Sequence, residues 1–419
     1  MNQCPPSFLS FNDAVAVLLA DNNIAVDTEQ VLLPQAVNRI LATDISAPFD
    51  VPGYDNSAMD GYAFSYNDLQ ASGELELIGS AFAGHPFQGE WRQGGCIRIM
   101  TGAAVPAQCD TVVMQEQAIQ LERDNCTLVR FDGHLKRHQH VRKKGEDITT
   151  GTILFKRGQR LKATDIGILA SIGIAQLPVY QPLKVAILST GDELREPGTE
   201  KSEGEIYDTN RYTTQAILQN FGFEVIDCGI VPDVPEILAD TFKRALSLAN
   251  VVISSGGVSV GEADHTKTVL NELGSMQFWK VAIKPGKPFA YGHFHTQDTH
   301  GNNKRFMGLP GNPVSSVVTL HQLALPTLRK MAGEHIEPQQ LQRLPLASPI
   351  SKKPGRLEFI RASIDVTESG TRIQPLQGQG SGILSTFSQS QGYVILSAEG
   401  SSWQENELVD FLPFDQALS

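Results

Sequence analysis

Cysteine is scarce in this chain of 419 residues: Cys4, Cys96, Cys109, Cys126 and Cys228, with no C-x-x-C pair. An odd count without paired spacing argues against a disulfide framework or a zinc site and fits free thiols in a reducing cytosol. No apolar run approaches the roughly 18 residues needed to span a bilayer. The short apolar stretch near the N-terminus has no basic segment before it, which argues against a secretory signal. Positive charge is also in short supply. Lys and Arg number 34 against 46 Asp and Glu, for a net charge of −12, and a nucleic-acid partner would want the opposite balance. Local basic loops can still hold a small anion. Finally, no G-x-x-x-x-G-K-[ST] occurs, since Lys287 is followed by Pro288. Gly378-x-Gly380-x-Gly382 neither matches the dinucleotide fingerprint nor opens a helix. A Walker-type ATPase and an NAD enzyme are disfavoured together.

What the chain does have is polar loops. Pro52-Gly53-Tyr54-Asp55-Asn56-Ser57-Ala58-Met59-Asp60-Gly61-Tyr62-Ala63 packs carboxylates, an amide and a hydroxyl between glycines. Such a stretch builds no core and suits a site. Four more follow: Ser189-Thr190-Gly191-Asp192-Glu193, Tyr207-Asp208-Thr209-Asn210, Ser254-Ser255-Gly256-Gly257-Val258-Ser259 and Lys284-Pro285-Gly286-Lys287-Pro288. Each alone is an ordinary turn. Five in one chain describe a pocket for a phosphorylated ligand.

The pattern around them places the loops. Ser10 opens a helix. Residues 31–160 alternate short β-branched runs with Gly, Pro and Asp turns, a mostly β texture with a short helix expected at 164–172. From Pro182 the pattern becomes strand, helix, strand, with strands at 183–188, 223–230 and 251–253. Helices are expected at 209–221, 235–248 and 265–273, more strands at 278–284, 288–294 and 305–309, and a long helix over 314–330. This predicts a central doubly wound, mostly parallel α/β domain. Residues 333–354 read as a polar, proline-rich linker, and 355–415 as a return to β, a small β-barrel. In open α/β sheets ligands bind beyond the carboxyl ends of the strands. Ser189–Glu193, Ser254–Ser259 and Gly308-Leu309-Pro310-Gly311-Asn312-Pro313 all follow expected strands. Their hydroxyls, bare backbone and helix N-termini suit phosphate.

The carboxylates Asp60, Asp147, Asp192, Glu193, Asp208, Asp233 and Asp264 fall in loops, with Asp208 equally able to cap a helix. Hard oxygen ligands beside phosphate suit Mg²⁺, with Zn²⁺ or Mn²⁺ as alternatives. Lys284 and Lys287 sit on a turn stiffened by prolines, so less entropy is lost when an oxyanion binds. His134, His138 and His140 have no further ligand at metal spacing and read as exposed loop residues.

Taken together, the Asp50–Ala63 segment, Met100-Thr101-Gly102-Ala103, Gly145-Glu146-Asp147-Ile148, Ser189–Leu194, Ser254–Asp264, Lys284–Pro288 and Gly308–Pro313 resemble the MoeA family of molybdopterin molybdenumtransferases. That family also forms the C-terminal domain of gephyrin. The resemblance runs over nearly the whole chain. Only the central α/β domain is shared with the related pterin adenylyltransferases, so the flanking parts decide between the two. A gephyrin-like scaffold is the reading from another class.

The resemblance implies insertion of molybdate into adenylylated molybdopterin with release of AMP. It implies a cytoplasmic homodimer with a shared site, handover from the adenylyltransferase and to apo-molybdoenzymes, and no membrane. It also implies a split N-terminal domain (1–50 and 143–181), an inserted β domain (51–142), the molybdopterin-binding domain (182–332) and a C-terminal barrel (340–419). Matched residue by residue, it points to Asp60, Thr101, Arg142, Asp147, Glu193, Asp233, Asp264, Lys280, Lys284, Pro310, Pro313, Arg361 and Ser381. In physical terms Glu193, Asp233 and Asp264 would hold Mg²⁺ at the pyrophosphate. Thr101, Ser255 and the loop backbones at Ser189, Thr190, Gly191, Ser254, Gly256, Gly257 and Ser259 would hold phosphate. Lys284, Lys287, Arg361 and Ser381 would hold molybdate, with Arg356 the alternative to Arg361. Asp60 and Asp147 would come from the partner subunit.

Overall fold

The computed structural model of the protein describes residues 8–20, 23–256, 265–368, 370–415 and 417–418. The chain divides into two compact units. The first holds the described residues through Ala42, Arg157–Ala163 and those from Gln176 onward; the second holds Thr43–Lys156 and Thr164–Ala175. Among the described residues no helix is long and apolar enough to cross a membrane.

In the first unit, α1 (Phe11–Ala20) is capped by Ser10, whose Oγ accepts from the Asp13 N–H at 3.1 Å. The main sheet has six strands: β1 (Lys184–Thr190), β2 (Glu224–Val231), β3 (Val251–Ser255), β4 (Gly274–Lys280), β5 (Pro288–Gln297) and β6 (Asn303–Leu309), in the order β2-β1-β3-β6-β5-β4. β2, β1, β3 and β6 run parallel, and β5 is antiparallel to both β6 and β4. The sheet is mostly parallel, as expected, with β5 the reversed strand. The connections from β4 to β5 and from β5 to β6 are too short to hold a crossover helix, so the chain reverses direction at each.

Side chains of β1 alternate between two cores. Val185 and Ile187 pack with Ile217 and Leu218 of α2 (Asn210–Asn220), whereas Ala186 and Leu188 pack with Leu238, Phe242 and Ala245 of α3 (Pro235–Leu248). Helices thus cover both faces, which is why the strand reads as a continuous apolar run. The helix α4 (His265–Leu273) lies in the second of these cores. The expected single helix over 314–330 is α5 (Pro313–Thr319) and α6 (Leu325–Met331), joined by a π turn at Leu320–Ala324. Pro326 has no N–H to give to an α-helical bond, and the π turn lies directly before it.

The same unit ends in a second sheet of Ile283–Lys284, Leu357–Thr367, Gly392–Leu396, Leu408–Pro413 and Gln342–Pro345, with Gly370–Pro375 beside Leu357–Thr367. A bridge between Leu346 and Ile373 joins the Gln342–Pro345 end of this path to Gly370–Pro375. The linker expected over 333–354 is therefore shorter, because Gln342–Pro345 pairs with Leu408–Phe411. Leu344 and Leu346 face the core at period two inside that polar run.

The second unit is built on a sheet ordered Thr111–Met114, Gly61–Phe64, Gly95–Ile99, Leu75–Ala81, Cys126–Phe131, Ala118–Arg123. Along Gly61–Phe64, Tyr62 and Phe64 enter one core while Ala63 joins Ile97, Ile99 and Val112 in the other. Gly61 is obligatory: a Cβ there would lie 1.8 Å from the Val113 carbonyl oxygen. The helix Ala163–Ser171 also belongs here, within a residue of its expected position.

Candidate active site

The first unit brings its polar loops together at the carboxyl ends of β1, β3 and β6. Ser189 and Ser254 are fully buried, and Thr190 and Ser255 nearly so. Gly256 has φ +90°, and a Cβ there would meet the Thr190 carbonyl oxygen at 2.4 Å. Only glycine lets the turn after β3 lie against the end of β1. The Gly256 N–H donates to the Leu309 carbonyl at 3.3 Å, tying in the end of β6. Asn210, the first residue of α2, completes the arrangement. Its Nδ2 donates to Ser255 Oγ at 2.8 Å and to the Gly311 carbonyl at 2.7 Å. One amide therefore staples the turn after β3 to the Gly308–Pro313 turn. Pro310 is buried in that turn, and Pro313 opens α5. Gly257, Ser259 and Asp264 lie outside the described residues.

Two carboxylates of this edge are unspent. Glu193 is exposed and folds over Gly191, and its carboxylate makes neither hydrogen bond nor ion pair among the described residues. Asp233, just past β2, has a buried Oδ1 with no hydrogen-bond partner. The Ser189 hydroxyl is orphaned in the same way. Buried polar atoms without partners are uncommon and point to a ligand. Among the described residues no group of three or more His, Cys, Asp or Glu stands where it could hold a metal. Mg²⁺ needs only one or two carboxylates beside phosphate and water, so the donor set of Glu193 and Asp233 fits such an ion.

Asp208 behaves differently. Its carboxylate accepts from the Arg211 N–H at 3.1 Å, capping α2, and from Arg211 Nε at 3.0 Å; its side chain is 1% exposed. Arg211 also meets Glu196 and Asp227. Burial works against its charge, but the bonds from Asp208 and Glu196 prevail and raise its pKa above the ordinary arginine value. Asp208, expected to touch substrate, is a helix cap inside a closed ion network.

A second corner of the unit holds the basic turn. Lys284 and Lys287 are exposed while Pro285 and Gly286 between them are buried, so both lysines rise from a fixed base. Gly286 (φ +111°) packs on Thr319 of α5, where a Cβ would approach the Thr319 methyl to 2.7 Å. Lys287 lies 5.1 Å from the Phe8 ring centre, and Lys284 pairs with Glu358 at 3.1 Å. Lys280 closes β4 and is half-buried. Ser381 arrives from the C-terminal sheet, its carbonyl accepting from the Val314 N–H at 3.0 Å. The start of α5 is thus shared by the Gly308–Pro313 turn and the loop carrying Ser381.

Arg361, expected to hold molybdate, is fully buried, and its Nη1 has no hydrogen-bond partner. Its Nε donates to Thr386 Oγ1 at 2.6 Å, and its Nη2 reaches the Gly378 and Gly380 carbonyls at 3.2 and 3.3 Å. It supports the Ser381 loop from beneath. The alternation of Leu357–Thr367 turns it inward, whereas Arg356, just before that strand, is half-exposed.

In the second unit the Asp60 loop forms its own cluster. Asp60 Oδ1 accepts from the Thr101 N–H at 2.8 Å and from Thr101 Oγ1 at 2.7 Å. The Thr101 backbone bond, then its hydroxyl, then the charge of Arg98 hold the Asp60 pKa below the usual carboxylate value. Arg142 pairs in register with Asn56, which brings the Arg142–Asp147 segment beside the same loop. Lys143 binds Asp55 at 2.8 Å, and the Asp147 N–H donates to the Val51 carbonyl at 3.0 Å. The side chains of Arg142 and Asp147 are exposed and carry no ion pair among the described residues.

Sequence reasoning missed two residues here. Asn210 stood in a loop already singled out, and its place at a helix start after a strand was the available signal. Glu358 had none, because its importance lies in a pairing across strands 74 residues apart.

Comparison with known proteins bears on both units. Three family models match: the MoeA N-terminal region (domain I and II) over residues 9–173, a probable molybdopterin binding domain over 186–330, and the MoeA C-terminal region (domain IV) over 343–414. A molybdopterin molybdenumtransferase of Haemophilus influenzae is 42% identical over 416 residues, 98% of this chain and 100% of its own length. Another, from Nostoc, is 39% identical over 73% of this chain and 70% of its own. The crystal structure of a molybdopterin biosynthesis MoeA protein from Pyrococcus horikoshii matches with a TM-score of 0.82 at 28% identity, covering 97% of this chain and 100% of that one.

Proposed function

Because the chain belongs to the MoeA family, transferases of molybdenum cofactor biosynthesis, we propose that it inserts molybdate into adenylylated molybdopterin and releases AMP. One observation carries this reading. The Asn210 staple and the Ser381–Val314 bond meet at the start of α5, so a phosphate-binding edge and an oxyanion-binding corner share one helix. A nucleotide pyrophosphate and a tetrahedral dianion can then be held side by side, which converts an encounter into an intramolecular step.

Within this reading, the hydroxyls of Ser189 and Ser255 and the backbone at Thr190, Gly191, Ser254 and Gly256 orient the phosphates. Lys284, Lys287 and the Ser381 loop hold molybdate, with Arg361 supporting that loop from beneath. Asp233 and Glu193 would hold a divalent ion, Mg²⁺ by ligand hardness. Bound there, it would polarise the anhydride and neutralise the departing phosphate. Asp60 and Asp147, from the unit carrying Thr101 and Arg142, reach the site from the partner subunit of a homodimer; their exposed, unspent charge supports that role. The protein works in the cytoplasm, taking substrate from an adenylyltransferase and passing product to apo-molybdoenzymes. The C-terminal sheet, bridged from Leu346 back to Ile373, is a small barrel.

Matches on both sides of the molybdopterin-binding region favour neither adenylyl transfer, for which that region would suffice, nor a scaffold. The test is AMP release from adenylylated molybdopterin, with and without molybdate and Mg²⁺. Release requiring both establishes coupled insertion. Pyrophosphate formation from ATP and free molybdopterin, without such release, overturns it.

A further inference from the structure

We infer that Glu358 sets how loosely the Lys284 corner holds its oxyanion, so that the corner yields its cargo rather than storing it. The inference rests on the reading of Lys284 given above. Glu358 and Lys284 are register partners on neighbouring strands, Leu357–Thr367 and Ile283–Lys284. Lys284 Nζ lies 3.3 and 3.1 Å from the two carboxylate oxygens. The two side chains sit in unlike surroundings, 4% exposed for Glu358 and 48% for Lys284.

Among the described residues Lys284 is the only ion partner of Glu358. Lys352 feels the same field, but its ammonium donates to the Arg356 carbonyl at 2.9 Å and the Ala398 carbonyl at 3.5 Å. A carboxylate removed from water is costly unless paired, so Lys284 is held on its buried side before any ligand arrives. An oxyanion reaching the exposed side must share that ammonium with a fixed negative charge behind it. Like charges on one cation repel, and partial burial strengthens the repulsion.

Such an arrangement would be a defect in a storage site. In a transferring site it has a use, since tight ground-state binding of a cargo raises the barrier to passing it on. Glu358 acts through Lys284 and is a positioning residue. It needs no contact with the oxyanion.

The test is calorimetric titration of sodium molybdate, with sulfate as competitor, into the full-length protein and its Glu358→Gln, Glu358→Asp and Lys284→Met/Glu358→Gln variants. AMP release is followed in parallel. The double variant removes both charges and leaves no buried carboxylate unpaired. Glu358→Gln is expected to bind molybdate about tenfold more tightly and to turn over more slowly, because the opposing charge is gone. Glu358→Asp keeps the charge and stays near wild type in both readouts. Binding by Glu358→Gln that is unchanged or weaker overturns the inference and leaves Glu358 as a prop for Lys284. Binding by the double variant as tight as wild type, or no binding by wild type, overturns the oxyanion corner and the inference with it.

Discussion

Carboxylates gather in two regions of this protein and are used in opposite ways. Around Arg211 they are neutralised: Asp208 is 1% exposed on its side chain, and Asp208 and the more exposed Glu196 and Asp227 all converge on one buried guanidinium. Around Asp60 they lie open: Asp55 pairs with Lys143 at the surface, while Asp60 is held by Thr101, a neutral residue, which leaves its charge unneutralised. A carboxylate whose charge is cancelled inside the fold contributes stability. One held in place but not neutralised is available to a ligand or a partner. The same distinction separates Asp208 from Glu193 and Asp233 within the first unit.

The sharpest way to break this contrast is Arg211→Met. It leaves Asp208 buried without its cation and is expected to cost about 3–5 kcal/mol of stability, as removing one member of a buried pair does. Denaturant unfolding followed by far-UV circular dichroism reads it. A variant as stable as wild type would mean that the network is ornamental. Asp60→Ala should do the reverse. Its unfolding midpoint is expected to stay near that of wild type, as for exposed sites. AMP release is expected to fall about a hundredfold or more, as when a preorganised polar group is lost. Loss of fold, or full activity, would each contradict the assignment.

Asn210→Ala lies between the two. It removes two hydrogen bonds that join loops rather than a charge, at about 1 kcal/mol each. A fall of about tenfold in kcat/KM for the pterin nucleotide, with molybdate binding little changed, is the expected split. Equal loss on both substrates would show that the staple holds the whole edge and not the phosphate turn.

How far the sequence could be read follows the same line. Elements with their own periodicity were legible: the helix Pro235–Leu248 matches its expected span residue for residue, and His265–Leu273 does as well. The loops at the strand ends were legible because Gly, Ser and Asp after an apolar run mark a turn wherever it lies. What escaped depends on partners distant in the chain. That Arg361 is buried and braces the Gly378–Gly380 turn emerges only when the pleat of Leu357–Thr367 turns it inward. Gln342–Pro345 reads as linker until Leu408–Phe411 supplies its hydrogen bonds. Asp208 reads equally as cap or ligand until Arg211 claims both its oxygens.

The smallest effect probes how Asp60 is held. Its pKa is lowered first by the Thr101 backbone N–H, then by the Thr101 hydroxyl and the charge of Arg98. A carboxylate with a depressed folded-state pKa contributes stability that is present above its unfolded value, near 4. That stability is lost as pH falls through the folded value. Thr101→Val removes only the hydroxyl. The Asp60 pKa should then rise part of the way toward its usual value, because the stronger backbone bond remains. The acid limb of the AMP-release profile should move to higher pH in the same sense while the neutral-pH rate changes little. Carboxyl carbon chemical shifts in a pH titration measure the first effect, and the rate profile the second. An Asp60 pKa that does not move would mean that the backbone bond alone holds the carboxylate. A profile that does not move while the pKa does would mean that Asp60 is held in place but that its ionisation does not govern the rate. Only movement of both ties the open cluster of the second unit to the chemistry rather than to the stability of its own loop.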